Sequence, residues 1–296
     1  MTRAAGIFFN RRELEVILLI VQISDLHYAP TSDADAGLER AYGLISALEP
    51  DLIVAAGDLT HDGLTEQFDQ VYRFLERLGI SRVRAIPGNR DFPAGNSTVD
   101  RPLDSDLEYF LGAPDTAFTD HELPGLAADR TPFTDFFADL DFFDRFPDAT
   151  VVGLNSEPQI PDDAFKRGTD FFRGSSPAVP RVFCTHRSLL PVPRKRVKEG
   201  DLLKNAASIL AELLNLNVRL AMCAHVHRGH AWRLSNDEGE IVVVNSPSLI
   251  DSSGTKETGF LAIQMEPDGD VTVDLHTLNQ AEGRRLLQRS KTARHL

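Results

Sequence analysis

The feature that most constrains the fold is an ending that recurs five times. Residues 16–23 are apolar and stop at Ser24-Asp25-Leu26-His27. Leu52–Ala56 stops at Gly57-Asp58, and Val83–Ile86 stops at Pro87-Gly88-Asn89-Arg90-Asp91. Residues 181–185 end at His186, and residues 218–224 end at His225-Val226-His227. Short apolar runs without polar alternation mark strands buried on both faces. Amphipathic stretches separate the first three runs. Leu38, Tyr42, Ile45 and Leu48 share one face of 35–48, and Phe68, Val71, Phe74, Leu75 and Leu78 share one face of 64–78. Pro50 and Gly79 stop them. This order of strand and helix gives a parallel sheet covered on both sides, an α/β fold.

In the second half a helix is expected over 202–216. Three further strands, 241–244, Gly259–Met265 and Val271–Thr277, follow without helices and suit antiparallel pairing. Residues 92–146 break the rhythm, being rich in Asp, Pro and Phe. They read as an insert or cap near the mouth of a site, ending in a hairpin that feeds a strand at 150–154. Residues 1–14 read as a tail. Arg284, Arg285, Arg289, Lys291 and Arg294 mark a solvated helical tail over 280–296, with a homo-oligomer contact as the alternative. With no internal repeat or low-complexity linker, residues 1–296 read as a single domain.

Ligands of open α/β sheets bind outside the carboxyl ends of the strands, so five polar clusters at strand ends can converge. Asp, His and Asn supply oxygen and nitrogen donors suited to divalent Mn, Fe or Zn. In extended chain, residues two apart point the same way, so Asp25/His27 and His225/His227 can each present two side chains to one site. His61, three residues past Asp58, could reach a ligand by a hydrogen bond. His121, His230, His276 and His295 read as surface or core. Cys184 and Cys223 sit inside apolar runs and read as core packing, and two cysteines give no disulfide framework.

Each motif alone is weak. Together, and in this order, Asp25-x-His27, Gly57-Asp58, Gly88-Asn89, His186 and His225-x-His227 resemble the calcineurin-like metallophosphoesterase superfamily. Within it the chain looks closest to the class III cyclic-nucleotide phosphodiesterases and their glycerophosphodiesterase relatives. The resemblance implies a four-layer α/β/β/α sandwich with mixed sheets and two adjacent divalent or trivalent metal ions. Asp25, His27 and His227 would hold the first ion; Asn89, His186 and His225 would hold the second; Asp58 would bridge them. Two such ions can share a hydroxide and clamp a phosphoryl group for in-line attack. Two divalent ions, less the charges of Asp25, Asp58 and one hydroxide, leave a centre of about +1 that attracts a phosphodiester anion.

Arg90 departs from the family's usual Gly-Asn-His-Asp/Glu. A guanidinium cannot act as a general acid, but it can hold phosphate by paired hydrogen bonds. Arg90 therefore favours substrates with strained or easily expelled leaving groups, cyclic phosphodiesters among them. Arg187, where the family often has a second histidine, is either another phosphate contact or a surface residue. Ala224 replaces the usual glycine before the last histidine pair.

The functional expectation is a metal-dependent phosphodiesterase in which Asp58, Asn89 and Arg90 are catalytic, and Arg90 and Arg187 bind substrate. The alternatives are a phosphomonoesterase or protein phosphatase, a nuclease, and a scaffold without activity. A formal net charge of −13 and no basic, aromatic-interleaved stripe argue against a nuclease or a stable nucleic-acid complex. The apolar run 16–21 is too short to span a bilayer and has no small-residue cleavage site behind it, so no membrane partner and a cytoplasmic location are expected.

Overall fold

The computed structural model describes residues 18–92, 131–157, 159–193, 196, 200–237, 239–250, 258–266, 269–280 and 283–288. Strands β1 (Leu18–Ile23), β2 (Leu52–Ala56) and β3 (Val83–Ile86) run parallel, and almost every residue in them is buried. Helix α1 (Ser32–Leu48) starts three residues ahead of the apolar periodicity because the Thr31 side chain accepts the Ala34 N–H and caps it. Helix α2 (Thr65–Gly79) presents Phe68, Val71, Phe74, Leu75 and Leu78 to the sheet.

Helix α3 (Pro132–Phe137) opens with a capping box between Thr131 and Thr134 and carries Pro at its start. Phe133 and Phe136 reach Phe68 of α2 at ring-centroid distances of 6.0 and 5.9 Å. This end of the expected insert is therefore part of the packed fold, while 93–130 lie outside the described residues, as do 1–17, His121, 289–296 and His295.

The hairpin expected before 150–154 is present. β4 (Phe142–Arg145) pairs antiparallel with β5 (Thr150–Gly153), which runs parallel to β6 (Arg181–Cys184). Helix α4 (Asp162–Arg173) was not expected, although Pro161 and two aspartates mark its start. Helix α5 (Ala206–Asn215) is shorter than 202–216 because Leu202 instead bridges Ser188. Then come β7 (Val218–Cys223), β8 (His230–Ser235) and β9 (Glu240–Asn245). β9 joins β7 in parallel and only its other edge, with β8, is antiparallel, which corrects the all-antiparallel expectation. β10 (Gly259–Met265) and β11 (Val271–Thr277) are antiparallel as expected.

The segment expected to be a helical tail forms β12 (Arg284–Leu287) on the edge of β11. Its Leu286 and Leu287 pack on the core between the sheets, and Arg285 bonds Asp274. Main-chain pairing with β11 and the partial burial of Leu286 and Leu287 favour a strand over a solvated helix.

The sheets have the orders β12-β11-β10-β1-β2-β3 and β4-β5-β6-β7-β9-β8. They face each other across one core that includes Ile20, Val54, Val151, Val182, Leu220, Val242 and Ile263. A second core lies under α1 and α2, and a third under α4 and α5. The result is the expected four-layer α/β/β/α sandwich. Arg84 of β3 bonds Asp144 of β4, and Arg233 of β8 bonds Asp270 beside β11, so ion pairs tie both flanks of the sandwich. Among the described residues no helix is long and apolar enough to cross a membrane.

Candidate metal centre

All five clusters meet where the parallel strands of the two sheets end. The route differs from the one the two-residue spacing suggests. Asp25, His27, Asp58, His225 and His227 have φ of +49°, +43°, +52°, +70° and +53°. Each pair therefore converges through left-handed backbone, not through extended chain. Such conformations cost about 1–3 kcal/mol each and persist only where surroundings fix them. Here the fixing is visible. The Asp25, His27 and Tyr28 N–H groups donate to the carbonyls of Gly57, Asp58 and Leu59 at 2.9, 2.9 and 3.2 Å, extending the β1–β2 ladder beyond the strands. Ser248 Oγ donates to the Asp25 carbonyl at 2.6 Å, and Ser24 Oγ donates to Asp25 Oδ2 at 2.7 Å.

The two glycines of the motifs have a steric reason. A Cβ on Gly57 would strike the His186 ring, and one on Gly88 would strike the Asp58 backbone and carboxylate. The loops after β2, β3 and β6 can approach this closely only without those atoms.

The side chains fall into two groups that share Asp58: Asp25, His27, Asp58 and His227; and Asp58, His186 and His225. Within each group the potential ligand atoms lie within 4.8 Å of one another. Asp58 Oδ2 is 3.6 Å from His27 Nε2 and 3.5 Å from His186 Nε2, so one oxygen faces both groups. Its other oxygen accepts the Arg90 N–H at 2.7 Å. Pairs of imidazole nitrogens also face each other, His27 Nε2 and His227 Nε2 at 2.9 Å, His186 Nε2 and His225 Nδ1 at 3.2 Å. His186 Nδ1 lies 2.8 Å from the Ala56 carbonyl, which can only accept. That nitrogen therefore carries a proton in either charge state, so Nε2 is the atom that holds the second proton or, without it, offers a lone pair to the centre.

Asn89 Oδ1 is buried without a hydrogen-bond donor, and Asp25 Oδ1 has His227 Nε2 3.2 Å away as its nearest partner. Orphaned buried acceptors are rare and costly. Converging lone pairs and an orphaned oxygen together fit divalent cations, so the donor set suits the expected ions.

The electrostatics show how tightly the charges are coupled. Burial raises the Asp25 carboxyl, but the imidazoles of His227 and His186 outweigh it and hold the group down at about 2. Burial likewise opposes ionisation of Asp58, yet His186, His27 and His225 pull it further below the usual range. The neighbouring rings split. Burial lowers His186, but Asp58 more than reverses this and raises it to about 10, whereas burial and the charge on His186 push His225 down to about 3. These opposite shifts describe two rings competing for one cation's place.

Asp91 was noted only as part of its motif, but the structure gives it a definite task. It is 0% exposed and accepts from the N–H groups of Leu59, Thr60 and Gly88 and from Thr60 Oγ1, at 3.1, 2.9, 2.9 and 2.9 Å. It thus joins the Asp58 loop to the Asn89 loop. Burial and then the Asp58 charge raise its carboxyl to about 7 against those donors.

Arg187 is 3% exposed, so it is not a surface residue. Its Nε and Nη2 reach Glu157 Oε2 at 3.1 and 2.6 Å, and Nη1 donates to the Gly200 carbonyl. A guanidinium so engaged braces three loops. Arg90 is exposed at the rim. His61 has a side chain 53% exposed and a ring centroid 6.5 Å from that of His27. His230 pairs edge-on with Trp232, and His276 stacks on Phe260, both away from the two groups. Cys184 and Cys223 are buried in the core.

A family model described as calcineurin-like phosphoesterase matches residues 18–229. No curated protein matches the chain significantly. Among solved structures, a purple acid phosphatase from yellow lupin (Lupinus luteus) seeds superposes with a TM-score of 0.58 at 15% identity, over 90% of this chain and 52% of that one. The chain thus spans about half the length of the lupin enzyme. GAP50, described as the anchor in the inner membrane complex of Plasmodium, superposes with a TM-score of 0.55 at 11% identity, over 93% and 90% of the two chains. At these identities the likeness is one of fold.

Proposed function

The chain belongs to the calcineurin-like phosphoesterase family, and on that premise we propose that it is a dinuclear metal-dependent phosphodiesterase acting on small substrates such as cyclic nucleotides. The observation that carries this reading is the two groups of converging donors that share Asp58, with imidazole nitrogens facing each other within them. Asp25, His27 and His227 would hold one ion, and Asn89, His186 and His225 the other, with Asp58 Oδ2 between them. Bound there, the ions would supply Lewis acidity and a water that ionises near neutral pH.

The chain's own groups set the rest. Asp58 stays ionised, with one oxygen fixed by the Arg90 N–H and the other turned to both groups. Asp91 holds the loops bearing Asp58 and Asn89 in register. Arg90 supplies a rim cation that can orient a phosphoryl oxygen by charge-assisted hydrogen bonds. The amide of Asn89, in place of a carboxylate, keeps the loaded centre positive toward an anion.

The test is hydrolysis of bis-p-nitrophenyl phosphate after chelation and after return of Mn, Zn or Fe. Turnover that requires metal and disappears in Asp58→Asn is expected. No turnover with two ions bound per chain would refute the reading. Arg90 gives weight to a second reading, a phosphomonoesterase, because a monoester carries more charge for it to meet; p-nitrophenyl phosphate in the same assay separates the two.

A further inference from the structure

Residues 246–250 follow β9 without regular structure, yet every one of them is buried. Irregular segments usually run over a surface, because a buried one must find partners for its polar groups. The partners here stand in a particular place. Asn245, the last residue of β9, donates from Nδ2 to the Ala224 carbonyl at 2.8 Å and accepts at Oδ1 from Ser188 Oγ at 2.6 Å. The Ala224 carbonyl can only accept, which fixes the way the amide faces. The Ser246 N–H donates to the Cys223 carbonyl at 2.9 Å, and the Leu249 N–H donates to the Ser24 carbonyl at 2.9 Å. Ser248 Oγ lies 2.6 Å from the Asp25 carbonyl and 2.7 Å from that of Ile250, and its one proton serves both.

Every one of these partners except Ile250 is a candidate ligand or stands within two residues of one. Cys223 and Ala224 precede His225, Ser188 follows His186, and Ser24 precedes Asp25. Asn245 thus ties the loop of His186 to the loop of His225, a tie doubled by the Ala224 N–H, which donates to the His186 carbonyl at 2.8 Å. These are the two imidazoles of the second group, 3.2 Å apart at Nε2 and Nδ1. Ser248 acts on the first group instead. It holds the carbonyl of Asp25, whose φ of +49° a non-glycine residue rarely adopts unaided.

Resting on the dinuclear reading, we infer that segment 245–249 is a positioning device that assembles the metal centre before any ion arrives. Asn245 sets the imidazole pair of the second group, and Ser248 sets Asp25 of the first. Both act through the ligands. An ion that enters an assembled centre does not have to order its ligands, so the device raises affinity by removing that cost. Loss of a partner that orients a ligand costs about 10–100-fold in metal affinity. Because the two residues hold different groups, their losses are separable.

The experiment titrates full-length, metal-free protein with Mn²⁺ by calorimetry in two backgrounds. His227→Ala leaves the second group as the intact one, and His186→Ala leaves the first. In His227→Ala, adding Asn245→Ala should weaken Mn²⁺ binding about 10-fold or more. Adding Ser248→Ala there should weaken it less than about 2-fold. In His186→Ala the order should reverse, and Ser248→Thr, which keeps the hydroxyl, should restore the affinity that Ser248→Ala loses. With two equivalents of Mn²⁺ and all ligands present, Asn245→Ala should replace the spin-coupled resonance of an ion pair by that of isolated ions. If Asn245→Ala does not fold, Ser188→Ala removes one end of the same tie and should give the same selective loss. Equal losses at both groups from each variant, or a lower Tm with both affinities intact, overturns the proposal, since the segment then serves the fold as a whole. Affinity is read without turnover. A wild type that binds two ions and hydrolyses no ester therefore removes the phosphodiesterase reading, while selective losses still support the positioning device. Uptake of no ion overturns both.

Discussion

At the carboxyl edge of the first sheet the grouped side chains are two carboxylates, Asp25 and Asp58, joined by His27. At the edge of the second sheet they are imidazoles, His186, His225 and His227. The supports differ as well. The first edge is held by a neutral-donor network that converges on one buried carboxylate, Asp91. The second is held by a buried ion pair, Arg187–Glu157, together with the Gly200 carbonyl. Both groups draw ligands from both edges. His227 of the second sheet completes the group of Asp25 and His27, and Asp58 of the first completes that of His186 and His225. The difference teaches that an ion here would also act as a clamp between sheets.

The largest effect should come from the one residue common to both groups. Asp58→Asn should lower kcat with an aryl phosphodiester by about 10³-fold or more and reduce bound metal, read by mass spectrometric metal analysis. Undiminished metal content would break the view that the two groups share it. Next is the support of the second edge. Arg187→Met leaves Glu157 as an unpaired buried charge and should destabilise the fold by about 3–5 kcal/mol in urea unfolding. Adding Glu157→Gln should recover most of that loss, and no recovery would mean that Arg187 acts through Gly200 instead.

Asp91→Ala strands four donors and should cost on the order of 3 kcal/mol, with a weaker metal affinity than Arg187→Met shows. Equal affinities in the two variants would erase the contrast between the supports. The smallest effect should be chelation. If the ions join the sheets, removing them from protein held at about 100 times the dissociation constant should cost about 2.7 kcal/mol and lower Tm by about 5–10 °C. An unchanged Tm would mean that the sheets are fixed by their shared apolar core alone.

Much of this was legible in the chain. Apolar runs with polar endings mark parallel strands whatever their neighbours, because burial on both faces leaves no room for alternation. β1, β2, β3, β6 and β7 were readable on that ground, and with them each candidate ligand's place at a strand end. α4 was missed, though Pro161-Asp162-Asp163 and the seven-residue spacing of Phe165 and Phe172 could have marked it. β12 was misjudged since its arginines outweigh two leucines until a partner strand gives those leucines a buried face.

The sequence by itself determined the donor chemistry and the strand ends, because residue type and local periodicity suffice for both. Tertiary structure alone decided the left-handed turns that aim the ligands, the parallel placement of β9, the inward turn of Arg187 and the crossing of ligands between sheets. Each depends on contacts between residues in different elements or loops, as where His186 meets Gly57 and His225 donates its N–H to Asp25 Oδ2. Such contacts carry no local signature, since their energy exists only after two separately folded edges are brought face to face.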